Sequence, residues 1–296
     1  MNKPLCLLVL ALPLLAQNQN PPYVVPDGVT VTPDIVYAAI GTREMYLDLY
    51  APKDGTGPFP AVVYVHGGGW SGGNRAAFRR QAAYMATKGY VGACIEYRLS
   101  GEAKYPAALY DSKAAVRWLR SNAAKYHVDP DRIAAAGGSA GGHLVALLGT
   151  TARLPAYEGD EGVTGVSSRV AAVAAFNPVL DLTEFGKNLP LDTAGMVAKF
   201  LGATYQDKPQ LWQAASPAYQ VTAKAAPFLI LHGDADTTVP YHQSVDMVQK
   251  LKEVGVAAEL FTAPGAKHAF FNAPPFYEPT LKRMEQFFDA LLRPKT

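Results

Sequence analysis

One serine of the chain lies in a setting that could make it a nucleophile. Residues 137–141 read GGSAG and fit the pattern G-x-S-x-G, with an apolar run before them and the helical pattern HLVALLGT after them. A serine on a sharp strand-to-helix turn needs small neighbours two residues away on each side. Its hydroxyl then lies at a helix N-terminus, where backbone N–H groups can stabilise developing negative charge. The pattern favours Ser139 as a nucleophile, and the alternative is a plain tight connection in a chain with 26 glycines.

A serine hydroxyl is a poor nucleophile at neutral pH, so it needs a general base, which a histidine can supply. His268 follows the strand-like run AAELFTA and precedes the last helical pattern, in a loop long enough to place a ring. Of the other five histidines, two directly follow an apolar run and precede glycine, which favours structural roles, and three lie in helical patterns: His66 and His232, then His127, His143 and His242. Position therefore favours His268 as the base.

A serine–histidine pair also needs an acid that orients the imidazole. The stretch HGDADTTVPYH, residues 232–242, follows the apolar run PFLIL and contains two aspartates. Asp234 follows a glycine, so it could serve equally well as part of a turn. The residues alone leave Asp234 and Asp236 as competing candidates.

A glycine run follows another apolar strand, where AVVYV leads into HGGGWSGGN. Gly67, Gly68 and Gly69 give a backbone free of side chains, which suits N–H groups that stabilise an oxyanion. The alternatives are a flexible turn and a phosphate loop, but a phosphate loop of the P-loop type would need Lys followed by Ser or Thr, which is absent here. We expect Trp70 to pack or to line the cleft, and His66 to hold the loop by a hydrogen bond.

Short apolar runs alternate with helical patterns along most of the chain. AVVYV, YVGACI, RIAAAGG, VAAVAAF and PFLIL lack polar alternation, which is typical of parallel strands covered on both faces. Before them, DIVYAAI and MYLDLYAP predict an antiparallel hairpin. Helices are predicted over residues 75–88, from near Pro106, over 241–254 and over 278–292. The order favours an α/β fold with a mostly parallel, doubly wound sheet of about eight strands, in which ligands bind beyond the C-terminal strand ends.

The composition excludes several classes of function. The net charge of the 296-residue chain is +2, without a basic stripe or an acidic tail, so no nucleic-acid partner is expected. No cysteine and histidine spacing resembles a metal site, and neither a metal nor a cofactor is expected. Cys94 lies in the apolar run YVGACIEY and is expected to be a buried, inert thiol.

The first residues form a separate segment. MNKPLCLLVLALPLLAQNQN has a lysine at position 3 and an apolar stretch over residues 5–16 that is too short to span a bilayer. It predicts a signal peptide over residues 1–16, cut near Ala16, and a secreted or periplasmic protein. Leu14 makes the cleavage site imperfect, and an uncleaved anchor is the alternative. Residues 17–296 are expected to form a single catalytic domain, without stable membrane insertion after the signal is removed.

These motifs together resemble those of a known fold. Ser139, an acid in the 232–240 loop and His268 follow the nucleophile–acid–histidine order of the α/β hydrolases. Within that superfamily the chain resembles the bacterial bifunctional feruloyl and acetyl xylan esterases, and it is also similar to the hormone-sensitive-lipase-like carboxylesterases. The likeness covers nearly the whole chain after the leader, through the motifs LDLYAP, VVYVHGGGW, EYRLS, YPAALYDSKAAVRWL, HVDPDRIAAAGGSAGGHL, ASPAY, ILHGDADTTVP and KHAF.

The resemblance implies a role for each candidate residue. Ser139 would be the nucleophile, His268 the base and Asp236 the acid, because the family spacing H-G-x-x-D-x-x-V selects Asp236 over its neighbour. An oxyanion hole would be formed by backbone N–H groups, with the choice of glycines open by one position: Gly68, Gly69 and Ala140. The motif KHAF departs from the family, which often has a glycine after the histidine.

Residues 181–215 interrupt the alternation of strands and helices, at the place where this superfamily usually carries a cap. The segment is short, so we expect an α/β-hydrolase fold with a short cap insertion and an open, shallow cleft. Phe185, Tyr205 and Trp212 are candidates to line that cleft, with core packing as the alternative for each.

The implied activity is that of a secreted serine carboxylesterase. The expected substrates are acetyl and other short-chain acyl esters, or hydroxycinnamoyl esters, of small molecules or oligosaccharides, including those of plant cell-wall polysaccharide. The alternatives are an amide-directed relative, such as an arylformamidase or a peptidase, and a non-catalytic binding protein on the same fold. No oligomeric state is predicted.

Overall fold

The structure is a computed structural model that describes residues 23–188 and 191–293. The predicted signal peptide over residues 1–16 therefore lies outside the described residues. Within the described ranges, no helix combines the length and the apolar character that crossing a bilayer would require.

An eight-stranded sheet forms the centre of the fold. Its strands are, in chain order, β1 (Val29–Ile40), β2 (Arg43–Pro52), β3 (Phe59–Val65), β4 (Val91–Ile95), β5 (Val128–Gly138), β6 (Val173–Phe176), β7 (Phe228–Gly233) and β8 (Ala258–Ala263). They lie in the order β1-β2-β4-β3-β5-β6-β7-β8. The pairs β1–β2 and β2–β4 are antiparallel, and all other pairs are parallel. The predicted hairpin and the mostly parallel, doubly wound sheet are confirmed.

Helices cover both faces of this sheet. They are α1 (Arg79–Thr87), α2 (Ala107–Ser121), α3 (Ala140–Thr151), α4 (Leu182–Asn188), α5 (Leu191–Leu201), α6 (Pro209–Ala214), α7 (His242–Glu253) and α8 (Tyr277–Leu292). The helix predicted over residues 75–88 is shorter than expected, because Arg75–Phe78 form a 3-10 turn. Asn74 caps that turn, since its side chain accepts a hydrogen bond from the Ala76 N–H at 3.0 Å.

The central strands are buried on both faces. In β3, Ala61, Val63 and Val65 point into a core formed with α2, α3 and α7, whereas Val62 and Tyr64 point into a core formed with α1 and α8. The apolar runs lack alternating polar residues because each strand contributes side chains to a core on both of its faces.

The sheet changes its direction of growth between β3 and β5. From β3 the chain passes to β4 on one side, and later to β5 on the other side. The two strands pair with Val65 beside Gly137, so the loops that follow them leave the sheet side by side. A crevice opens between loops at such a switch point, and ligands bind there. These loops carry HGGGW and GGSAGGH.

Two glycines allow α3 to begin against the end of β3. A Cβ on Gly141 would lie 2.1 Å from the Val65 carbonyl oxygen, and a Cβ on Gly137 would lie 2.6 Å from the Gly141 carbonyl oxygen. Since backbone atoms cannot yield as a flexible side chain can, no larger residue fits at either position. Close backbone approach therefore requires the small residues on either side of Ser139.

Helices α4, α5 and α6 lie between β6 and β7 in the chain and make up most of the 181–215 segment. They carry the buried aromatic side chains of Phe185, Phe200 and Trp212. Phe200 stacks on Trp70 with ring centroids 4.6 Å apart. The segment is thereby attached to the glycine-rich loop after β3.

We expect Gly141→Ala to lower the free energy of unfolding by about 1–3 kcal/mol, since the added methyl group would collide with the Val65 carbonyl. Gly195 in α5 is a matched control, because a Cβ there would meet no atom within 4 Å. Gly195→Ala should stabilise the protein by about 0.5–1 kcal/mol, as alanine is the better helix former. Chemical denaturation measures both changes, and equal stability of the two variants would contradict the close-approach argument.

Candidate active site

Ser139 lies on a strained turn between β5 and α3. Its backbone has φ 55° and ψ −120°, a conformation that residues with a side chain rarely adopt. The Ser139 N–H donates to the Phe176 carbonyl oxygen at 2.9 Å, which ties the turn to the end of β6. Backbone strain persists only where the surroundings hold it, and it clusters at functional sites.

The ring of His268 reaches Ser139 from the loop after β8. Nε2 lies 2.9 Å from the Ser139 Oγ, and Nδ1 lies 2.7 Å from the Asp236 Oδ2. With the Nδ1 proton facing the carboxylate, Nε2 is free to accept the serine hydroxyl hydrogen. The next residue, Ala269, has φ 60°, a left-handed conformation that glycine adopts at no steric cost. This explains why the resembled family often has a glycine there.

Of the two aspartates, Asp236 is the one that contacts His268. Its Oδ1 accepts hydrogen bonds from the backbone N–H groups of Thr238 at 2.8 Å and Val239 at 3.0 Å. Burial by itself would raise the pKa of Asp236, but hydrogen bonds from two histidines and a backbone N–H outweigh it and hold the pKa well below its ordinary value. The carboxylate is therefore held ionised and oriented.

Asp234 has a different position. Its side chain is exposed, and its Oδ1 accepts a hydrogen bond from the Gly265 N–H at 2.6 Å. This contact joins the loop after β7 to the turn that follows β8. Asp234 therefore fixes the shape of the loops, which is the turn role that the sequence left open for it.

His232 provides a second imidazole for Asp236. The ring is fully buried, with Nε2 3.2 Å from the Asp236 Oδ2 and Nδ1 2.6 Å from the Ser244 Oγ on α7. A proton donated by Ser244 to Nδ1 leaves the Nε2 proton facing the carboxylate. These contacts agree with the bracing role expected of His232.

His66 also has structural contacts. It is buried, it stacks on Tyr97 with ring centroids 4.3 Å apart, and its Nδ1 lies 2.7 Å from the Gly67 carbonyl oxygen. Burial lowers the pKa of His66, so the ring is neutral near pH 7. His242, by contrast, is exposed on α7 beside Glu184.

The loop after β3 presents backbone N–H groups at the site. Gly68 and Gly69 have φ 115° and 58°, and a Cβ on Gly68 would lie 2.3 Å from the Gly72 carbonyl oxygen. Among the residues that the structure describes, the backbone N–H groups of Gly68 and Gly69 donate to no backbone acceptor. Ala140 is the first residue of α3, where a backbone N–H has no partner within the helix. They are therefore available to an anion that forms at Ser139.

Trp70 anchors this loop to its neighbours. Its Nε1 donates to the His143 Nδ1 at 3.1 Å, and the His143 Nε2 donates to the Ala215 carbonyl oxygen at 2.7 Å. Burial lowers the pKa of His143 to about 4, which keeps Nδ1 available as an acceptor. The indole thus connects the glycine-rich loop with α3 and with the segment after α6.

Two cavities meet at Ser139. The larger has a volume of about 390 Å³, and its lining includes Phe78, Asn177, His268 and Phe271. The smaller has a volume of about 60 Å³, and most of its lining is apolar: Trp70, Val179, Phe185, Val197 and Val239. Four residues line both cavities, namely Gly69, Ser139, Met196 and Thr238.

Only some of the residues predicted to line the cleft lie near Ser139. Trp70 and Phe185 border the smaller cavity, but the structure does not bring Trp212 to Ser139. The Trp212 indole is buried, donates to the Ala203 carbonyl oxygen at 3.2 Å and lies against Tyr205 in a separate cavity. Packing among the cap helices is the physical reason.

Two residues at the site were not expected from the sequence. Asn177, directly after β6, is fully buried with its Nδ2 3.3 Å from the His268 Nε2. Its place at a strand end was a signal that could have identified it. Met196 on α5 extends over Gly69, where its Sδ would lie 2.3 Å from a Cβ. No sequence signal distinguishes Met196 from other apolar residues of the cap.

The described residues contain no group of three or more His, Cys, Asp or Glu side chains that could hold a metal ion. Cys94 is buried in the core with α1 and α8, and burial raises the pKa of its thiol. This environment agrees with the inert packing role expected of it.

The strand order, the turn at Ser139 and the chain order Ser139, Asp236, His268 are those of the α/β hydrolases. An imidazole between a serine hydroxyl and an ionised carboxylate can move the proton that acyl transfer requires. The chain belongs to the BD-FAE family, whose model matches residues 47–251.

Several proteins that are similar to this chain are named as esterases. Esterase LipQ of Mycobacterium tuberculosis is 36% identical over 245 residues, which are 81% of this chain and 57% of LipQ. This chain spans little more than half the length of the curated relatives it matches first.

Among solved structures, a propionate-bound thermophilic esterase of the Planctomycetes species Thermogutta terrifontis is 34% identical, with a TM-score of 0.76 over 91% of this chain and 97% of that one. A truncated carbohydrate esterase from gut microbiota is 29% identical, with a TM-score of 0.80 over 90% and 97%.

We expect Asp236→Asn to lower kcat by roughly three to four orders of magnitude, because an amide no longer fixes the Nδ1–H tautomer of His268. Asp234→Asn is the matched control, since the same change two residues earlier leaves the His268 contacts intact. It should act on stability and leave kcat within a few-fold of the parent. The reverse outcome would move the acid to Asp234.

Stability at acid pH gives Asp236→Asn a second measurement. Because the folded pKa of Asp236 is depressed, its contribution to stability is complete above its ordinary pKa of about 3.9 and is lost as pH falls toward the lower folded value. The variant lacks this titration, so its free energy of unfolding should fall less steeply below about pH 4.

Proposed function

We propose that this protein is a serine carboxylesterase that hydrolyses short-chain acyl esters, above all acetyl and propionyl esters. The observation that carries the proposal is the row of contacts from Asp236 through His268 to Ser139, 2.7 and 2.9 Å long, at the junction of two cavities. Membership of the BD-FAE family and the esterases among the similar proteins support it.

In the proposed mechanism, the Ser139 Oγ attacks the ester carbonyl while the His268 Nε2 takes the hydroxyl proton. Backbone N–H groups of Ala140 and of the loop after β3 stabilise the tetrahedral oxyanion, and each donor lowers the barrier by about 3 kcal/mol. His268 then gives its proton to the leaving alcohol, and the acyl group remains on Ser139. Water activated by His268 releases the acid and restores the serine.

The two cavities give the two halves of an ester different places. The smaller, of about 60 Å³, is lined mainly by apolar side chains, which suits the short tail of an acetyl or a propionyl group. We therefore assign the acyl group to it. The bound propionate in the Thermogutta terrifontis esterase is a ligand of this size class.

The alcohol half belongs in the larger cavity of about 390 Å³, which can take a group as large as a sugar ring or a phenol. Phe78 and Phe271 contribute aromatic side chains to its lining. A hydroxycinnamoyl acyl group exceeds the smaller cavity and would also have to lie here. The carbohydrate esterase among the structural neighbours supports esters of sugars as the substrate class. Within that class, our proposal is acetylated sugars, including those of plant cell walls.

Initial rates on 4-nitrophenyl acetate, propionate, butyrate and hexanoate test this assignment, with 4-nitroacetanilide as the matched amide. We expect kcat/KM to be highest for acetate or propionate and at least about tenfold lower for hexanoate, since excess methylenes do not fit the smaller cavity. Ser139→Ala should abolish hydrolysis with the fold retained by circular dichroism. An unchanged rate would refute the proposed nucleophile, and faster cleavage of the anilide would favour an amide-directed enzyme.

Met196 allows the acyl assignment to be tested within the same series, because it borders both cavities and is 43% exposed. Met196→Ala should open the smaller cavity and raise the hexanoate-to-acetate ratio of kcat/KM by roughly tenfold. Val245→Ala removes a comparably exposed apolar side chain on α7, away from both linings, and should leave the ratio unchanged. An unchanged ratio in Met196→Ala would place the acyl group elsewhere.

We also propose that the protein is exported and that residues 1–16 are removed, on the basis of the apolar leader and the polar residues after it. Mass spectrometry of protein recovered from the periplasm or medium of a bacterial host should give an N-terminus at Gln17. A full-length chain in the membrane fraction would favour the uncleaved anchor.

A further inference from the structure

Asn177 places a side-chain amide against His268. It lies directly after β6, is fully buried and lines the larger cavity together with Ser139. Its Nδ2 lies 3.3 Å from the His268 Nε2, the same nitrogen that contacts the Ser139 Oγ. The other end of the amide, Oδ1, is buried and has no hydrogen-bond partner among the residues that the structure describes.

The backbone of Asn177 is also unusual. Its φ is 34°, and its N–H donates to the Leu231 carbonyl oxygen at 2.7 Å, which holds the residue between the ends of β6 and β7. A left-handed backbone and a buried unpaired acceptor each cost stability. Both costs occur at a residue in contact with the proposed base, and this coincidence points to a role in the reaction.

His268 needs different partners in its two protonation states. When the ring is neutral, Nε2 accepts a hydrogen bond; after it takes the serine proton, Nε2 carries a hydrogen and needs an acceptor. The Asn177 amide has one donor end and one acceptor end, and a 180° rotation about its last side-chain bond exchanges them. Since Oδ1 has no described partner, the rotation breaks no hydrogen bond at that end.

We propose that Asn177 is a positioning residue that serves His268 in both states. Its Nδ2 donates to the neutral ring, and its Oδ1 accepts from the imidazolium. Hydrogen bonds to charged groups are stronger than those between neutral groups, so the amide favours the imidazolium on balance. Asn177 thereby stabilises the charged ring while the proton is held for the leaving alcohol. The proposal rests on the esterase function proposed above, in which His268 is the base.

Few other charged groups face His268. Asp236 contacts Nδ1, His232 lies beyond Asp236, and Lys267 is the exposed neighbour in the chain. On the Nε2 side, the described lining of the larger cavity contains no carboxylate, ammonium or guanidinium group. A change at Asn177 should therefore appear directly in the acid limb of the pH profile of the enzyme.

The pH profile of kcat/KM on 4-nitrophenyl acetate tests the proposal, because its acid limb reports the pKa of the base in the free enzyme. Asn177→Leu removes the acceptor for the imidazolium, so the acid limb should move to lower pH by about one unit, while the plateau of kcat falls roughly ten- to hundredfold with KM little changed. Asn177→Asp keeps the size and tolerates the left-handed backbone, but it brings a carboxylate to Nε2. Its acid limb should move to higher pH.

Asn272→Leu alters another amide of the same cavity and should leave the acid limb in place, whatever it does to KM. Acid limbs at the parental position in both Asn177 variants would reduce Asn177 to a packing residue, and so would displacements of the same sign. If Asn177→Leu does not fold, Asn177→Ala takes its place, because it also removes the acceptor and should move the acid limb to lower pH. Failure of the parent to hydrolyse esters, or full activity of Ser139→Ala, would instead remove the esterase function itself.

Discussion

Backbone atoms of β3 and α3 approach so closely at Gly141 that no side chain fits between them, and the site depends on that approach. A Cβ there would lie 2.1 Å from the Val65 carbonyl oxygen. Because α3 begins against the end of β3, Ser139 emerges beside the loop that carries Gly68 and Gly69. The change in sheet order between β3 and β5 opens the crevice into which both project. The strained turn at Ser139 is a result of this packing, since the chain must reverse from strand to helix in one residue.

A second constraint acts on the polar groups. Asp236 is buried, and a buried carboxylate is tolerated only when its oxygens are fully hydrogen-bonded. Its partners come from its own loop, from His232 at the end of β7 and from His268 after β8. The loops after β7 and β8 must therefore take up their shapes together. The fixed positions of Asp236 and His268 that proton transfer needs thus follow from the cost of burying the Asp236 charge.

Much of this arrangement could be predicted from the sequence. Three local patterns can be read directly from the sequence. They are GGSAG between a strand and a helix, HGGG after a strand, and a histidine before the last helix. The choice between Asp234 and Asp236 could not be made from the residues, because both lie in one loop and only the fold shows which carboxylate turns toward the imidazole. The resemblance to a family supplied that choice. Trp212 and Met196 were beyond prediction for a related reason: whether an aromatic or thioether group faces a cavity depends on how the cap packs on the sheet. Asn177 could have been singled out by its place at a strand end, but only the fold shows that its amide contacts His268. The predicted helix over residues 75–88 was too long because Asn74 caps a 3-10 turn at its start, and hydrophobic periodicity does not reveal such a side-chain cap.

One face of α5 touches two consecutive residues of the glycine-rich loop. Phe200 stacks on Trp70, and Met196, one helical turn away, lies over Gly69. The wall of the proposed acyl cavity and the backbone of the proposed oxyanion hole are therefore mechanically connected through α5. A shift of the whole helix that admitted a longer chain would also pull on the donors, so broader selectivity gained in that way would come with slower chemistry. A substitution of Met196 alone would leave the stack of Phe200 on Trp70 in place. Within this fold, substrate range can therefore change more easily by substitution of this one side chain than by movement of the whole cap.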